Sequence, residues 1–218
     1  MLTDNKLYFG YLDGILHNAT THDAPPDSTP VGSVEFVKAR MTALGMSMPE
    51  HMTYPTCLLQ LLKRNVWKGT FGERPNHDVF VKPLHDIKLF TGALYSNIEE
   101  KVEPSVEVWY SEPVKFVSEW RYYILGNSIV GAGRYDDGDD DMPEPDIASV
   151  LDAVYIMSNE NNCPAGYALD FGILDDGRTA LIEANDGWAI GYYKGTCTSI
   201  NYAKLLNARW QQLLGIVT

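Results

Sequence analysis

The sequence contains few cysteines and histidines and no long apolar run. The three cysteines, Cys57, Cys163 and Cys197, are far apart and form no CxxC pair, which excludes a disulfide framework and indicates reduced, structural thiols. The five histidines have neither HxxxH nor HExxH spacing, so a zinc site is not supported. Because no stretch of about 18 apolar residues exists, we expect no membrane-spanning segment. The N-terminal stretch MLTDNKLYFG lacks the basic-then-apolar run of a secretory signal, so we expect a cytoplasmic protein.

Basic residues are also scarce. The chain has 17 Lys and Arg against 29 Asp and Glu, a net charge of -12. Such a surface repels the phosphates of nucleic acids, so we expect no nucleic-acid partner, although a local basic pocket remains compatible with this balance. The hydrophobic fraction of 45% and the length of 218 residues are typical of a globular protein with one domain or two small ones.

Apolar residues at helical spacing predict four helices. The first follows a possible N-cap at Ser33 and stops at Gly45. The other three are expected at about 56–67, 146–158 and 200–214. Residues 68–77, with the sequence KGTFGERPNH, are typical of a linker or an exposed turn.

Strand-like patterns dominate the chain after residues 68–77. They are expected at 79–84, 106–114, 119–135 and 167–185. The third breaks at Gly126 and Asn127 and the fourth at Asp176 and Gly177, and both breaks lie between alternating apolar runs, which predicts tight hairpins. Antiparallel strands flanked by helices indicate the α+β class.

The last hairpin carries the most informative side chains. Glu183 and Asn185 are two residues apart and therefore lie on one face of a strand. Asp170 is about as far from the turn as Glu183, so the hairpin can bring it opposite them. Three oxygen-bearing side chains on one face are suited to Mg²⁺. The alternative is a half-exposed hairpin with these residues in solvent.

Two lysines suggest a site for phosphate groups. Lys82 lies on a short apolar strand and needs an anionic partner if its ammonium group is buried. Lys88 follows in a segment with Thr91 and Gly92 that is typical of a flexible loop. A strand lysine and a loop lysine can hold nucleotide phosphates as point charges. Taken alone, each of these lysines is more commonly a solvent-exposed surface residue.

The segment 106–121 has the character of a connector between two lobes. A strand runs into SEPV and a second opens with EWR, so the backbone between them can hydrogen-bond to an adenine ring, and Glu119 can accept from ribose hydroxyls. Arg121 and Arg134 lie on opposite strands of a hairpin, and we expect them to approach each other around an anion. Structural ion pairs with the many acids are the alternative for both.

The order of these motifs is more specific than any one of them. VFVKP, KLFTG, SEPV, EWR, GAGRY, ALD and IEAN follow one another between about residues 77 and 195. This order resembles the ATP-grasp superfamily and, more narrowly, its clade named for two arginines and one lysine, whose small members are often encoded in phage genomes. The resemblance implies two α+β lobes that hold ATP between them, over 77–218, after a small α/β N-terminal domain, over 1–76.

The resemblance also implies a role for each matching residue. Lys82 and Lys88 match the lysines that contact ATP phosphates, and Lys88 is also a catalytic candidate. Glu112 and Val114 match the hinge that binds adenine, mainly through backbone groups, and Glu119 matches the acid near the ribose. Asp170, Glu183 and Asn185 match the Mg²⁺ ligands. Arg121 and Arg134 match the two arginines of the clade, which are expected to bind the γ-phosphate or an acyl-phosphate.

The activity implied by the resemblance is an ATP- and Mg²⁺-dependent ligation of a carboxylate to an amine through an acyl-phosphate, on a peptide, protein or amino acid. The alternatives are a module that binds nucleotide without ligation and a protein-interaction module. Two departures from the family pattern bear on the substrate. Ala168 stands where some amino-acid ligases carry an arginine, and the region before the motifs is short for a complete substrate domain.

Overall fold

The computed structural model describes the backbone of Leu2–Thr3 and residues 24–85, 89–138, 141–188, 190–193 and 195–216. In these residues the α-helices are α1 (Val34–Ala43), α2 (Ile147–Ser158) and α3 (Ser199–Leu213), with 3₁₀ helices at Thr56–Leu61 and Tyr95–Asn97. The strands are β1 (Leu2–Thr3), β2 (Pro30–Val31), β3 (Val66–Thr70), β4 (Phe80–Pro83), β5 (Ala93–Leu94), β6 (Glu107–Ser111), β7 (Phe116–Leu125), β8 (Ser128–Arg134), β9 (Gly166–Leu174) and β10 (Thr179–Asp186). No helix in this described part of the chain has the length and apolar character needed to cross a bilayer.

Two four-stranded antiparallel sheets build the fold. The N-terminal sheet has the order β3-β6-β4-β5, and the C-terminal sheet has the order β10-β9-β7-β8. β1 and β2 form a separate parallel pair. The chain passes directly from the N-terminal sheet to the C-terminal sheet through residues 112–115, between β6 and β7. This arrangement confirms the α+β class and places a connector where the sequence predicts one.

The C-terminal sheet is buried on both faces. Alternate residues of β7 and β9 face two different cores, because successive side chains of a strand point to opposite sides. On one face Tyr122 and Leu169 pack with Val154 of α2, and on the other Tyr123 packs with Leu205 of α3. Every residue of β9 is buried as a result, and its single acid requires a partner inside the protein.

The predicted second helix is wrong over its second half. Residues 56–61 form a 3₁₀ helix, and Lys63 then adopts a positive φ of 53°, which breaks the helical path. The chain continues as β3, whose Val66 and Trp67 pair with Ser111 and Tyr110 of β6. Pairing with a strand distant in sequence therefore overrides the local apolar pattern, and it also turns part of the predicted linker at 68–77 into a strand.

The other predicted elements agree closely with the structure. Ser33 caps α1 by accepting a hydrogen bond from the backbone N–H of Phe36. Both hairpin turns contain a glycine with positive φ, Gly126 at 59° and Gly177 at 85°, as the turn signals predict. The predicted division between residues 76 and 77 does not coincide with a break in the N-terminal sheet, since β3 and β4 both pair with β6.

The close packing of β9 on α3 yields a stability prediction. A Cβ atom at Gly166 would overlap the carbonyl oxygen of Leu205, a backbone atom that cannot rotate away. We expect Gly166→Ala to lower the free energy of unfolding by about 1–3 kcal/mol, measured by urea denaturation. Gly191→Ala is the matched control, because its Cβ would meet only the flexible end of Arg121, at 3.4 Å. Equal stability of the two variants would contradict this packing.

Candidate functional site

A cavity of about 900 Å³ lies between the two sheets. Strands β4 and β5 of the N-terminal sheet, the connector 112–115, the end of β10 and the loop 51–54 contribute its walls. The loop 51–54 runs along the free edge of β10, where the backbone N–H of Ala184 donates to the carbonyl of Thr53 at 3.0 Å. This volume is in the range of small-molecule sites.

A salt bridge joins the two sheets across this cavity. Lys82 Nζ on β4 lies 2.7 Å from Glu183 Oε2 on β10. The Lys82 side chain is only 14% exposed, and its ammonium group also lies 4.3 Å from the ring centre of Tyr54. Burial by itself raises the pKa of Glu183, but Lys82 and a hydrogen bond from Asn185 outweigh it and hold that pKa below its ordinary value. The lysine predicted from VFVKP thus has the anionic partner that it requires.

The predicted carboxylate cluster is assembled beside this salt bridge. Glu183 pairs directly with Asp170, because a β-bulge between Leu181 and Glu183 shifts the register by one residue. Asn185 Nδ2 lies 3.1 Å from Asp170 Oδ2 and 3.2 Å from Glu183 Oε1. The hairpin therefore brings the three side chains to one point, as its spacing predicts.

The donor set of this cluster fits Mg²⁺. It offers two carboxylates and one amide, and hard oxygen donors are the ligands that Mg²⁺ prefers, with waters and phosphate oxygens completing its octahedron. In the part of the chain that the structure describes, no group of three or more His, Cys, Asp and Glu side chains is placed to hold a metal ion, and this cluster itself contains only two carboxylates besides its amide. A cation at this point would thus take its remaining ligands from elsewhere.

Arg121 forms a bidentate salt bridge with Asp170, one of the residues of the cluster. Its Nε and Nη2 atoms donate to the two oxygens of Asp170 at 2.7 and 2.6 Å. Arg121 is 6% exposed and Asp170 is 1% exposed, and neither lines the cavity. Burial raises the pKa of Asp170 to about 6, while the guanidinium opposes that rise. The bidentate contact with a guanidinium group favours the ionised form of this carboxyl group.

Arg121 and Arg134 do not approach each other, contrary to the expectation from their hairpin. The register pairs Arg134 with Trp120 and pairs Arg121 with Gly133. Directly opposed residues share a face and successive residues alternate, so the two arginines lie on opposite faces of the sheet. Arg134 donates to Asp136 from Nε at 2.8 Å and from Nη2 at 2.5 Å, and it does not line the cavity.

The predicted adenine and ribose residues line the cavity. Glu112, Val114 and Glu119 all contribute to its wall. The Glu112 carboxylate accepts hydrogen bonds from the backbone and side-chain N–H groups of Asn65 at 2.9 and 2.7 Å, which hold its pKa below the ordinary value. Glu119 accepts a hydrogen bond from the Tyr135 hydroxyl at 2.9 Å. Lys88 lies outside the described residues.

Arg64 is a residue at this site that the sequence analysis missed. It donates to the Ser111 hydroxyl at 3.1 Å and to the carbonyls of Leu181 and Ile182 at 2.8 and 2.9 Å. Its guanidinium also lies 5.7 Å from the ring centre of Phe116. One side chain thus ties the end of β6 and the start of β7 to the bulge that presents Glu183. Its acceptors are mostly backbone carbonyls, which leave no signal in the sequence.

Comparison with protein families gives one match. The model of an ATP-grasp domain, the second family of the clade named for two arginines and one lysine, matches residues 61–205. No curated protein matches the chain.

Solved structures resemble this chain at low sequence identity. D-cycloserine synthetase DcsG, which has the same fold, is 11% identical with a TM-score of 0.53, over 88% of this chain and 86% of that one. ATP-grasp ligase PsnB complexed with minimal precursor, Mg and ADP is 13% identical with a TM-score of 0.45, over 83% and 65%. D-alanine–D-alanine ligase from Bacillus anthracis complexed with ATP is 13% identical with a TM-score of 0.43, over 84% and 64%. This chain thus spans less than two thirds of the PsnB and D-alanine–D-alanine ligase chains.

The contacts of Arg64 predict a large effect of its removal. Arg64→Met leaves the carbonyls of Leu181 and Ile182 without their donor, and we expect a loss of about 2–3 kcal/mol in the free energy of unfolding. Arg64→Lys should recover less than half, since an ammonium group cannot reproduce the guanidinium fork. Urea denaturation measures both. The control is Arg74→Met, because the Arg74 guanidinium lies over the Tyr95 ring at 4.7 Å and does not line the cavity. If Arg64→Met were as stable as this control, the role of Arg64 in tying β6 and β7 to the bulge before Glu183 would be refuted.

Proposed function

We propose, since this chain belongs to the second family of the ATP-grasp clade named for two arginines and one lysine, that it is an ATP- and Mg²⁺-dependent ligase that joins a carboxylate to an amine. The observation that carries the proposal is the pairing of Lys82 with Glu183 across the cavity, next to Asp170 and Asn185. The largely buried ammonium group of Lys82 and the oxygen-bearing side chains beside it lie at one point of a cleft, an arrangement that suits a metal-bound polyphosphate.

In this proposal the nucleotide lies along the cavity from the connector to the carboxylate cluster. The adenine ring is placed against residues 112–115 and contacts Glu112 and Val114 mainly through the backbone. Support comes from the Glu112 carboxylate, which is already occupied by Asn65 and so leaves recognition to main-chain groups. Glu119 faces the same cavity and is placed at the ribose.

Lys82 is placed at the phosphates, and its present partner explains how. When a phosphate enters the cavity, the Lys82 ammonium group can exchange its ion pair with Glu183 for an ion pair with the phosphate oxygens. The Glu183 carboxylate, no longer paired with Lys82, is then available beside Asp170 and Asn185. We propose these three residues as the ligands of Mg²⁺. The cation, when bound there, offsets negative charge on the phosphates during transfer.

The geometry supports a different role for Arg121 from the one implied by the resemblance. Because both oxygens of Asp170 accept from it, we propose that Arg121 positions Asp170 and keeps it ionised, rather than contacting the γ-phosphate directly. The catalytic role of Arg134 stays a prediction that its pairing with Asp136 does not favour. The phosphate-binding role of Lys88 also stays a prediction.

The proposed reaction has two steps. A carboxylate oxygen attacks the γ-phosphorus and the bond to ADP breaks, which gives an acyl-phosphate and ADP. An amine then attacks the acyl carbon, phosphate leaves, and the nitrogen loses a proton. No enzyme nucleophile is needed, and this suits the three cysteines, since burial raises the pKa of Cys57, Cys163 and Cys197 and keeps them as thiols.

The proposal is tested by trapping the acyl-phosphate with hydroxylamine, a small amine that converts it to a stable hydroxamate. The panel of carboxylate substrates consists of amino acids and of peptides with a free C-terminal carboxylate. We expect ADP and a hydroxamate to form from MgATP with at least one member of this panel. Lys82→Met should reduce this rate by about tenfold or more, because it removes a charged contact to phosphate.

The matched control is Lys68→Met. Lys68 and Lys82 both pair with Trp109 and so share a face of the N-terminal sheet, but Lys68 is exposed and does not line the cavity. Its removal should leave the rate within about twofold of wild type. Tight binding of MgATP without ADP formation across the panel would overturn ligation and favour a nucleotide-binding module.

A further inference from the structure

Helix α2 is apolar on two sides, and only one of them is buried. Its inner side packs against the C-terminal sheet with Val150, Ala153, Val154 and Met157. Its outer side carries Ile147, Leu151 and Tyr155, which are 53%, 52% and 71% exposed. These three residues are four apart and therefore lie one above another on the helix. We call them the outer stripe.

The outer stripe belongs to a well-formed helix. Asp146 caps its first turn by accepting hydrogen bonds from the backbone N–H groups of Ala148 and Ser149 at 3.4 and 3.1 Å. A helix that is apolar on both sides is typical of a buried helix, and a row of three large side chains in water carries a cost that a surface helix ordinarily avoids. Among the residues that the structure describes, the stripe is thus an exposed apolar face on a regular helix.

The segment that carries the outer stripe is acidic and contains no base. Between Arg134 and Arg178 the sequence contains no lysine, arginine or histidine. Glu144, Asp152 and Glu160 are exposed before, within and after the helix. An apolar row on a helix that carries Asp152, in a segment that has acids and no bases, is complementary to a surface that combines apolar and basic side chains.

We propose that α2 docks a basic amphipathic segment of a polypeptide partner, with the apolar residues of that segment on Ile147, Leu151 and Tyr155 and its lysines or arginines on the acids around them. A second copy of this chain is a poorer occupant, since a twofold contact through the stripe would place Asp152 and its neighbours against identical acids. An anionic membrane surface is repelled by the same charges.

This surface is separate from the candidate site. None of the three stripe residues lines the cavity between the sheets, so an occupied stripe leaves the cavity open. The inference therefore holds whether or not the chain is a ligase, and its failure would not bear on the proposed function.

The test uses fluorescence anisotropy with a labelled peptide of about 14 residues, roughly four helical turns, built from leucine and lysine at helical spacing. A peptide with glutamate in place of every lysine is the charge control. We expect the lysine peptide to bind the full chain at least tenfold more tightly than the glutamate peptide. The double variant Leu151→Ser with Tyr155→Ser, and separately Asp152→Lys, should each weaken binding by at least tenfold.

Ile200→Ser is the matched control variant, because Ile200 is 59% exposed on a different helix, α3, and should leave binding unchanged. All substituted residues are exposed, and unchanged melting temperatures would verify that the variants fold. Equal binding of the two peptides, or binding unaffected by the double variant, would overturn the proposal. It would also be overturned if sedimentation showed a wild-type dimer that the double variant dissociates, because the stripe would then belong to a second copy.

Discussion

The arrangement of the site depends on one ion pair, Lys82 with Glu183, which joins the two sheets across the cavity, in addition to the connector 112–115 and the contacts of Arg64. Neither charge is fully buried, and the attraction between partly buried charges is largely offset by the loss of their hydration. The pair therefore matters less for stability than for alignment. It sets the strand that carries Lys82 opposite the bulge that carries Glu183, with the distance between their charged atoms held at 2.7 Å. Both residues also line the cavity. In the proposed complex a phosphate replaces Glu183 as the partner of Lys82, and a metal cation replaces Lys82 as the partner of Glu183.

A second ion pair, Arg121 with Asp170, lies next to the first and stabilises it. Asp170 lies on a strand buried along its whole length, where a lone carboxylate would protonate. Arg121 prevents this by a bidentate contact, and Asn185 donates to Asp170 and Glu183 together. Lys82 and Arg121 thus balance the two carboxylates with charges of the chain itself. A divalent cation at this point would need a further source of negative charge, which the phosphates of the proposed nucleotide would supply.

Much of this site could be predicted from the sequence because it depends on local spacing. The turn at Gly177 fixes which residues of the last hairpin meet, and IEAN places Glu183 and Asn185 on one face. What spacing could not give is register at single-residue accuracy. A bulge before Glu183 brings it opposite Asp170, and a one-residue offset sends Arg134 to the face opposite Arg121. Arg64 was missed because its acceptors, carbonyls of Leu181 and Ile182, are far away in sequence and are common to every residue type.

The most direct test of the central claim is a crystal structure of the chain with MgADP. We expect the phosphates to lie between Lys82 and the group formed by Asp170, Glu183 and Asn185, with the adenine ring against residues 112–115. Lys82 Nζ should then have left Glu183 for a phosphate oxygen, while the contact of Arg121 with Asp170 persists. A nucleotide bound outside the cavity between the sheets, or a bound nucleotide with the pairing of Lys82 and Glu183 unchanged, would contradict the account.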